Sequence, residues 1–216
     1  MAQVFDNAAT LCVKLVLLGI AVFVAATIAI VAWQMNAPVA AGVTVDQPIP
    51  FSHRHHVGDD GIDCRYCHTT VETSASAGMP SSQICLSCHS VLFRDSPALA
   101  PLHASAESGT PLRWNRLYDL PDFVFFNHSI HVAKGVACAT CHGRVDQMPQ
   151  LVRHERLDMQ WCLDCHRAPD RRVGPPDQVF AMRDPRALSD EDVAVLRRLY
   201  RFESESRMTS CTTCHR

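Results

Sequence analysis

Hydrophobic residues are distributed along this chain in two very different ways. From Leu15 to Trp33 the sequence reads LVLLGIAVFVAATIAIVAW, without a charge. A run that is apolar on every side predicts a helix. At about 1.5 Å per residue, some 20 residues reach roughly 30 Å, the thickness of a bilayer's hydrocarbon core. A secretory leader has a shorter apolar region followed by a small-residue cleavage site. Val39-Ala40-Ala41 offers such a site, but the length of the run favours an uncleaved anchor, and 15–35 is read as a transmembrane helix. Lys14 and Asp6 nearly cancel, so charge says little about orientation. Cys12 reads as a small apolar residue ahead of the span.

Beyond the anchor the pattern thins. From Gln47 to Arg216, Leu, Ile, Val and Phe number 36 of 170 residues, close to the level at which chains stop folding. One stretch has clear helical periodicity. Ser189-Asp190-Glu191-Asp192 precedes Val193, Leu196, Leu199 and Tyr200, a capping-box start to an amphipathic helix expected to pack near the last motif of the chain. Residues 91–125, with Pro97, Pro101, Pro111 and Pro121, read as an irregular Pro-rich connection with a docking surface around Trp114 and Phe123. A chain that is mostly α and irregular, with so little aliphatic bulk, needs another filler for its core.

Composition supplies one. The chain has 216 residues, 11 Cys and 12 His, and a formal net charge of −2, which gives no support for nucleic-acid binding. Every cysteine except Cys12 lies in Cys-x-x-Cys-His. The five copies pair Cys64 and Cys67 with His68, Cys85 and Cys88 with His89, Cys138 and Cys141 with His142, Cys162 and Cys165 with His166, and Cys211 and Cys214 with His215. This spacing is that of c-type haem attachment: two thiols bond to the two vinyl groups of a haem, and the next residue places an imidazole on the iron. Zinc also binds Cys-x-x-Cys pairs, but zinc sites do not require a His after each pair. Five covalent haem c groups are expected. Haem attachment of this kind takes place outside the cytoplasm, so 1–14 is expected to be cytoplasmic and everything after the span periplasmic, on a bacterial inner membrane.

The motifs are spaced as pair, pair, single. Ahead of each pair stands Phe-x-His-x-x-His, at Phe51, His53 and His56 and again at Phe126, His128 and His131. Corresponding landmarks are offset by 74–77 residues, which predicts an internal duplication of a two-haem unit. The organisation is then a first two-haem repeat at 36–90, the connection at 91–125, a second two-haem repeat at 126–168 and a single-haem segment at 169–216. A low-spin haem iron takes a sixth ligand, usually His or Met. His53 and His128 are assigned to the haem attached just downstream, and His56 and His131 to other haems. For the remaining iron Met159 is the first candidate, followed by Met148, Met79 and His154. His55 and His103 are expected to face solvent or haem propionates.

These stretches resemble the class III and seven-type multihaem cytochromes c. The fuller match is similar to the pentahaem membrane-anchored cytochrome subunit of alternative complex III, a quinol-oxidising respiratory complex. It is carried by Ala77-Gly78-Met79-Pro80-Ser81, by Leu120-Pro121-Asp122-Phe123-Val124-Phe125-Phe126-Asn127-His128-Ser129, by Leu157-Asp158-Met159-Gln160-Trp161-Cys162 and by the terminal Cys214-His215-Arg216. Such relatives often have His at the position of Tyr118. The resemblance implies three kinds of partner: an iron–sulfur subunit related to molybdopterin oxidoreductases, polytopic quinol-binding subunits and a monohaem cytochrome c. It also implies electron transfer toward a periplasmic cytochrome c, a cupredoxin or a terminal oxidase, with no catalytic site in this chain. Two alternatives are a self-sufficient quinol dehydrogenase of the tetrahaem type and a multihaem reductase.

Overall fold

The computed structural model describes residues 6–36, 41–182 and 188–215. Val39 and Ala40 of the alternative cleavage stretch, and the terminal Arg216, lie outside the described residues. The chain divides into two compact units, Met1–Val39 and Ala40–Arg216.

The first unit is helix α1, Asn7–Asn36. It begins eight residues earlier than the apolar run, because Asp6 Oδ1 accepts the Ala9 N–H at 2.6 Å and satisfies one of the free amides of the first turn. Asn7–Trp33 is long and apolar enough to cross a membrane. The one hydroxyl in its middle, on Thr27, donates to the Phe23 carbonyl at 2.9 Å and needs no water.

The second unit consists of short helices joined by irregular segments. Helices α2 (Cys64–Cys67), α3 (Ser82–His89), α6 (Cys138–His142), α7 (Met159–Arg167) and α10 (Cys211–Cys214) carry the five motifs in order. Between them lie α4 (Ala100–Ser108), α5 (His128–Ala133), α8 (Asp190–Tyr200) and α9 (Glu205–Met208). A π-helical turn, Arg54–Asp59, follows His53 and carries His56, the last histidine of the first Phe-x-His-x-x-His stretch. The β-structure among the described residues is a single antiparallel bridge between Val124 and His215. In place of a sheet, backbone stitches fix the segments. Gly42 N–H donates to the Arg153 carbonyl at 2.8 Å, Arg153 N–H to that of Val43 at 2.9 Å, and Arg54 N–H to that of Met148 at 3.0 Å.

The connection at 91–125 departs from expectation. It contains α4, with a 3₁₀ turn, Pro97–Leu99, leading into it. Two of the prolines that read as breakers, Pro97 and Pro101, stand in first turns, where a missing N–H costs nothing. Gly109, at φ 68°, ends α4 in the left-handed region open to glycine. Buried Ser105 and Ser82 share a 2.6 Å hydrogen bond that fastens α4 to α3.

Helix α8 forms as its sequence predicts, with the full capping box: Ser189 Oγ accepts the Asp192 N–H and Asp192 returns the contact to the Ser189 amide, both at 3.1 Å. Its apolar face covers the segment around Val173. Leu196 and Tyr200 pack on Val173, with Val136, Leu188 and Phe202 around them, and Tyr200 Oη donates to the Gly174 carbonyl at 2.7 Å. Leu199 remains exposed. This three-residue cluster is a small core for so long a unit, and Leu102 has the most completely buried large side chain of the described residues. The aliphatic deficit read from the sequence is a physical property of the fold.

Candidate haem-binding sites

Each motif folds as the start or body of a helix, which sets its two cysteines one turn apart with the histidine immediately beyond. Local caps fix the helices. Asp63 Oδ1 accepts the Arg65 N–H at 2.8 Å at the head of α2, and Asp158 Oδ1 accepts the Trp161 N–H at 2.9 Å at the head of α7.

The two Phe-x-His-x-x-His stretches build the same ring geometry on different backbones. Phe51 meets His53 edge-on at 4.8 Å and 88° and stacks on His56 at 4.5 Å and 26°. Phe126 meets His128 at 4.8 Å and 87° and stacks on His131 at 4.4 Å and 29°. The first copy is a π turn, whereas in the second Asn127 Oδ1 accepts the Ile130 N–H and starts the α-helix α5. In each copy the aromatic ring holds the histidines three positions apart as a rigid pair.

Each pair faces motif histidines. The His56 and His89 ring centres are 6.1 Å apart, those of His131 and His166 6.2 Å, and those of His128 and His142 6.5 Å with planes only 7° from parallel. His53 lies within electrostatic reach of His68. Two imidazoles sharing one metal ion, with bonds of about 2 Å and ring centres roughly 1 Å behind the nitrogens, sit roughly 6 Å centre to centre. The three measured separations fit an iron between the rings.

The protonation pattern agrees. His56, His68, His89, His128, His131 and His166 each place Nδ1 within 2.7–3.0 Å of a backbone carbonyl, those of Ser52, Gly78, Leu92, Ala75, Asn127 and Met208 respectively. His215 does so with Phe123 at 3.3 Å. A carbonyl only accepts, so Nδ1 carries the proton and, in the neutral ring, the Nε2 lone pair is left for a metal. Burial, helped by the neighbouring histidines, brings His53 and His142 down to about 4 and lowers His131. Neutral imidazole is the ligating form. Burial likewise pushes Cys141 up to about 12 and Cys162 to about 11. Among the described residues no three of His, Cys, Asp and Glu gather as a metal-ion cluster.

The fifth motif differs from the others. His215 is bridged to Val124, and the ring of Phe123 lies 5.7 Å from its own. Met159 opens α7 with an exposed side chain, and one turn further on Cys162 lies within electrostatic reach of Cys214. Met79 follows the Gly78 that accepts from His68, and the Met148 carbonyl holds Arg54, so both belong near the first motif. His154 packs against Gly143 and pairs with Glu155 at 3.6 Å. His55 lies between Asp59 and Asp60 on the surface.

Sequence reasoning missed the contacts of Tyr118 and misplaced two other side chains. Tyr118 lies edge-on to His142 at 4.8 Å and donates to the Cys141 carbonyl, so it buttresses the third motif from the side while His128 faces it. His103, expected to face solvent or haem propionates, and Trp114, expected on a docking surface, instead turn their ring nitrogens inward: among the described residues His103 Nε2 and Trp114 Nε1 are buried without a hydrogen-bond partner, and Trp114 stands edge-on to Phe51 at 6.2 Å. These placements come from contacts distant in sequence, which no local pattern announces.

Residues 124–216, which hold the last three motifs, match the family described as cytochrome c7 and related cytochrome c. The chain is also 40% identical over 98 residues to the multihaem cytochrome c subunit of the menaquinone reductase of Nitratidesulfovibrio vulgaris (strain Hildenborough). That match covers 45% of this chain and 46% of the relative, so the aligned part spans about half the length of the protein it resembles. With its motif helices and facing imidazoles, the carboxy-terminal part of the chain is similar to the multihaem cytochromes c of the c7 group.

Proposed function

We propose that this chain is a membrane-anchored pentahaem c-type cytochrome that carries electrons between a quinone-linked membrane complex and a redox partner in the periplasm. The observation that carries this reading is the set of facing imidazoles 6.1–6.5 Å apart. A motif histidine opposed by a second fixed imidazole leaves no coordination position for a substrate, so the sites suit electron passage rather than bond making. When bound, haem c supplies one-electron oxidation and reduction. The residues attach it through ten cysteines, orient the imidazoles through backbone carbonyls and exclude water with Phe51 and Phe126.

In this reading His53 with His68, His56 with His89, His128 with His142 and His131 with His166 would each hold one iron. Met159 would supply the second ligand of the fifth site beside His215, supported by the nearness of Cys162 to Cys214. The matched ring geometry around Phe51 and Phe126 supports descent of 36–90 and 126–168 from one two-haem unit. Helix α1 anchors the chain in a bacterial inner membrane, with residues 1–14 in the cytoplasm and the haem unit outside.

The direction of flow has two readings. The likeness to the alternative complex III subunit favours electrons leaving quinol for a periplasmic cytochrome c, cupredoxin or terminal oxidase. The likeness to a menaquinone reductase subunit favours the opposite direction, with electrons delivered toward quinone. Purification of the full chain in mild detergent, with identification of co-purifying polypeptides, tests the partners. An iron–sulfur protein of the molybdopterin-oxidoreductase kind and a polytopic subunit are expected. The purified complex is then offered a quinol analogue or a reduced periplasmic cytochrome, and the one that reduces its haems sets the direction. Isolation of the chain alone, active as a quinol dehydrogenase, would overturn the assignment to a complex. The intact mass should carry five haem increments per polypeptide.

A further inference from the structure

We propose that the five attachment sites stand in one row whose order differs from their order in the chain: second, first, third, fourth, fifth. This rests on the haem reading above and adds to it the identity of the two ends.

Four sets of contacts define the row. The second and first sites touch through residues inside their own motifs: Tyr66 Oη and Ser87 Oγ are 2.8 Å apart, and Cys67 lies within electrostatic reach of Cys85. Their facing histidines are held by one ring, that of Phe51.

The step from first to third crosses from one repeat to the other. Cys64 and Cys138 lie within electrostatic reach of each other, and so do His53 and His68 with His142. The loop behind the first motif grips the third site's facing histidine: Ala75 O accepts both the N–H of His128, at 3.1 Å, and its Nδ1–H, at 2.9 Å, while Ser74 O accepts the Ser129 N–H at 3.1 Å.

Third and fourth sites share Phe126, and Cys141 neighbours Cys162 and Cys165. Fourth and fifth meet where Cys162 neighbours Cys214, and where His166 Nδ1 donates to the Met208 carbonyl, three residues before Cys211.

Among the described residues no such contact between motif side chains joins the second site to the third, fourth or fifth. The exposure of the sulfurs is an independent sign. Of the ten motif cysteines, Cys88 and Cys211 are exposed, one at each end of the row, and the other eight are partly covered. The amino-terminal repeat therefore enters the row backwards. Its second site is the outer end, and its first site is the joint to the second repeat. A redox partner comes closest at the second site or at the fifth.

The test is to locate the irons in the holoprotein, as the full chain in its complex, by anomalous scattering at the iron edge. The expected result is that the first iron is the nearest neighbour of both the second and the third, with the fourth between the third and the fifth. A second iron closer to the third than to the first would overturn the row. Fewer than five irons, or none bonded at these cysteines, would instead overturn the haem reading. A solution measurement uses the C64S/C67S variant, which lacks the first haem. After a pulse of reductant, the second haem is expected to be lost from the group that equilibrates rapidly, leaving three. If all four remaining haems equilibrate in one phase, the sites follow chain order and the proposal fails.

Discussion

Phe126 holds two histidines at once, so a single substitution should disturb two sites and no others. Its ring lies 4.8 Å from that of His128 and 4.4 Å from that of His131. An aromatic pair in either geometry is worth about 0.5–1.5 kcal/mol beyond the area it buries. Phe126→Ala therefore loosens each histidine by about that amount, and since 1.4 kcal/mol is a factor of ten, each sixth ligand is released about 2- to 13-fold more readily. Carbon monoxide binds reduced haem only when that ligand leaves, so titration of the dithionite-reduced variant reads the effect directly. The expected outcome is an affinity raised about 2- to 13-fold at two sites per chain, while three remain as in the unaltered protein. Phe51, at 4.8 and 4.5 Å from His53 and His56, should behave alike for the other two pairs, so the double variant opens four sites. An unchanged affinity, or a uniform rise at all five sites, would refute the reasoning.

Other outcomes follow from the protein framework. Leu196 is 4% exposed within the small cluster around Val173, and Leu196→Ala should cost about 2–5 kcal/mol in denaturant unfolding followed by helical circular dichroism. Ser189→Ala removes half of the capping box and should cost about 1 kcal/mol in the same assay, while Ser189→Asp should retain most of the stability. Gly143 has φ 68°, and an added Cβ would sit 2.6 Å from the His154 ring. Gly143→Ala should therefore destabilise by more than about 1 kcal/mol and lower the yield of haem-loaded protein, read as Soret absorbance per polypeptide.

What the sequence disclosed was the chemistry carried by short-range patterns. Cys-x-x-Cys-His names its own geometry, and the spacing of His53 and His56, or of His128 and His131, already places two rings on one turn. Ser189 and Asp192 announce α8 because a capping box is a local hydrogen-bond exchange. Helix α4 was hidden because Pro97 and Pro101 look like breakers unless it is known that they stand in first turns. The face that α8 covers was hidden as well, since Leu196 and Tyr200 meet Val173 across a segment with no periodicity. The contact of residues 74–75 with residues 128–129 was the least legible part. His128 is oriented by the carbonyl of Ala75, 53 positions away, and a main-chain oxygen leaves no trace in residue identity.

The same seven carbonyls that orient the imidazoles have a consequence for how such a protein can drift over generations. Had the acceptors been Asp or Glu side chains, a single codon change could abolish one and retune an iron. Residues such as Ala75, Leu92 and Met208 can be exchanged for others while the oxygen they present persists. In the proposed haem reading the electronic settings of the sites would thereby be partly insulated from mutation at the residues that supply the carbonyls, and alteration would require a shift in the path of the backbone itself.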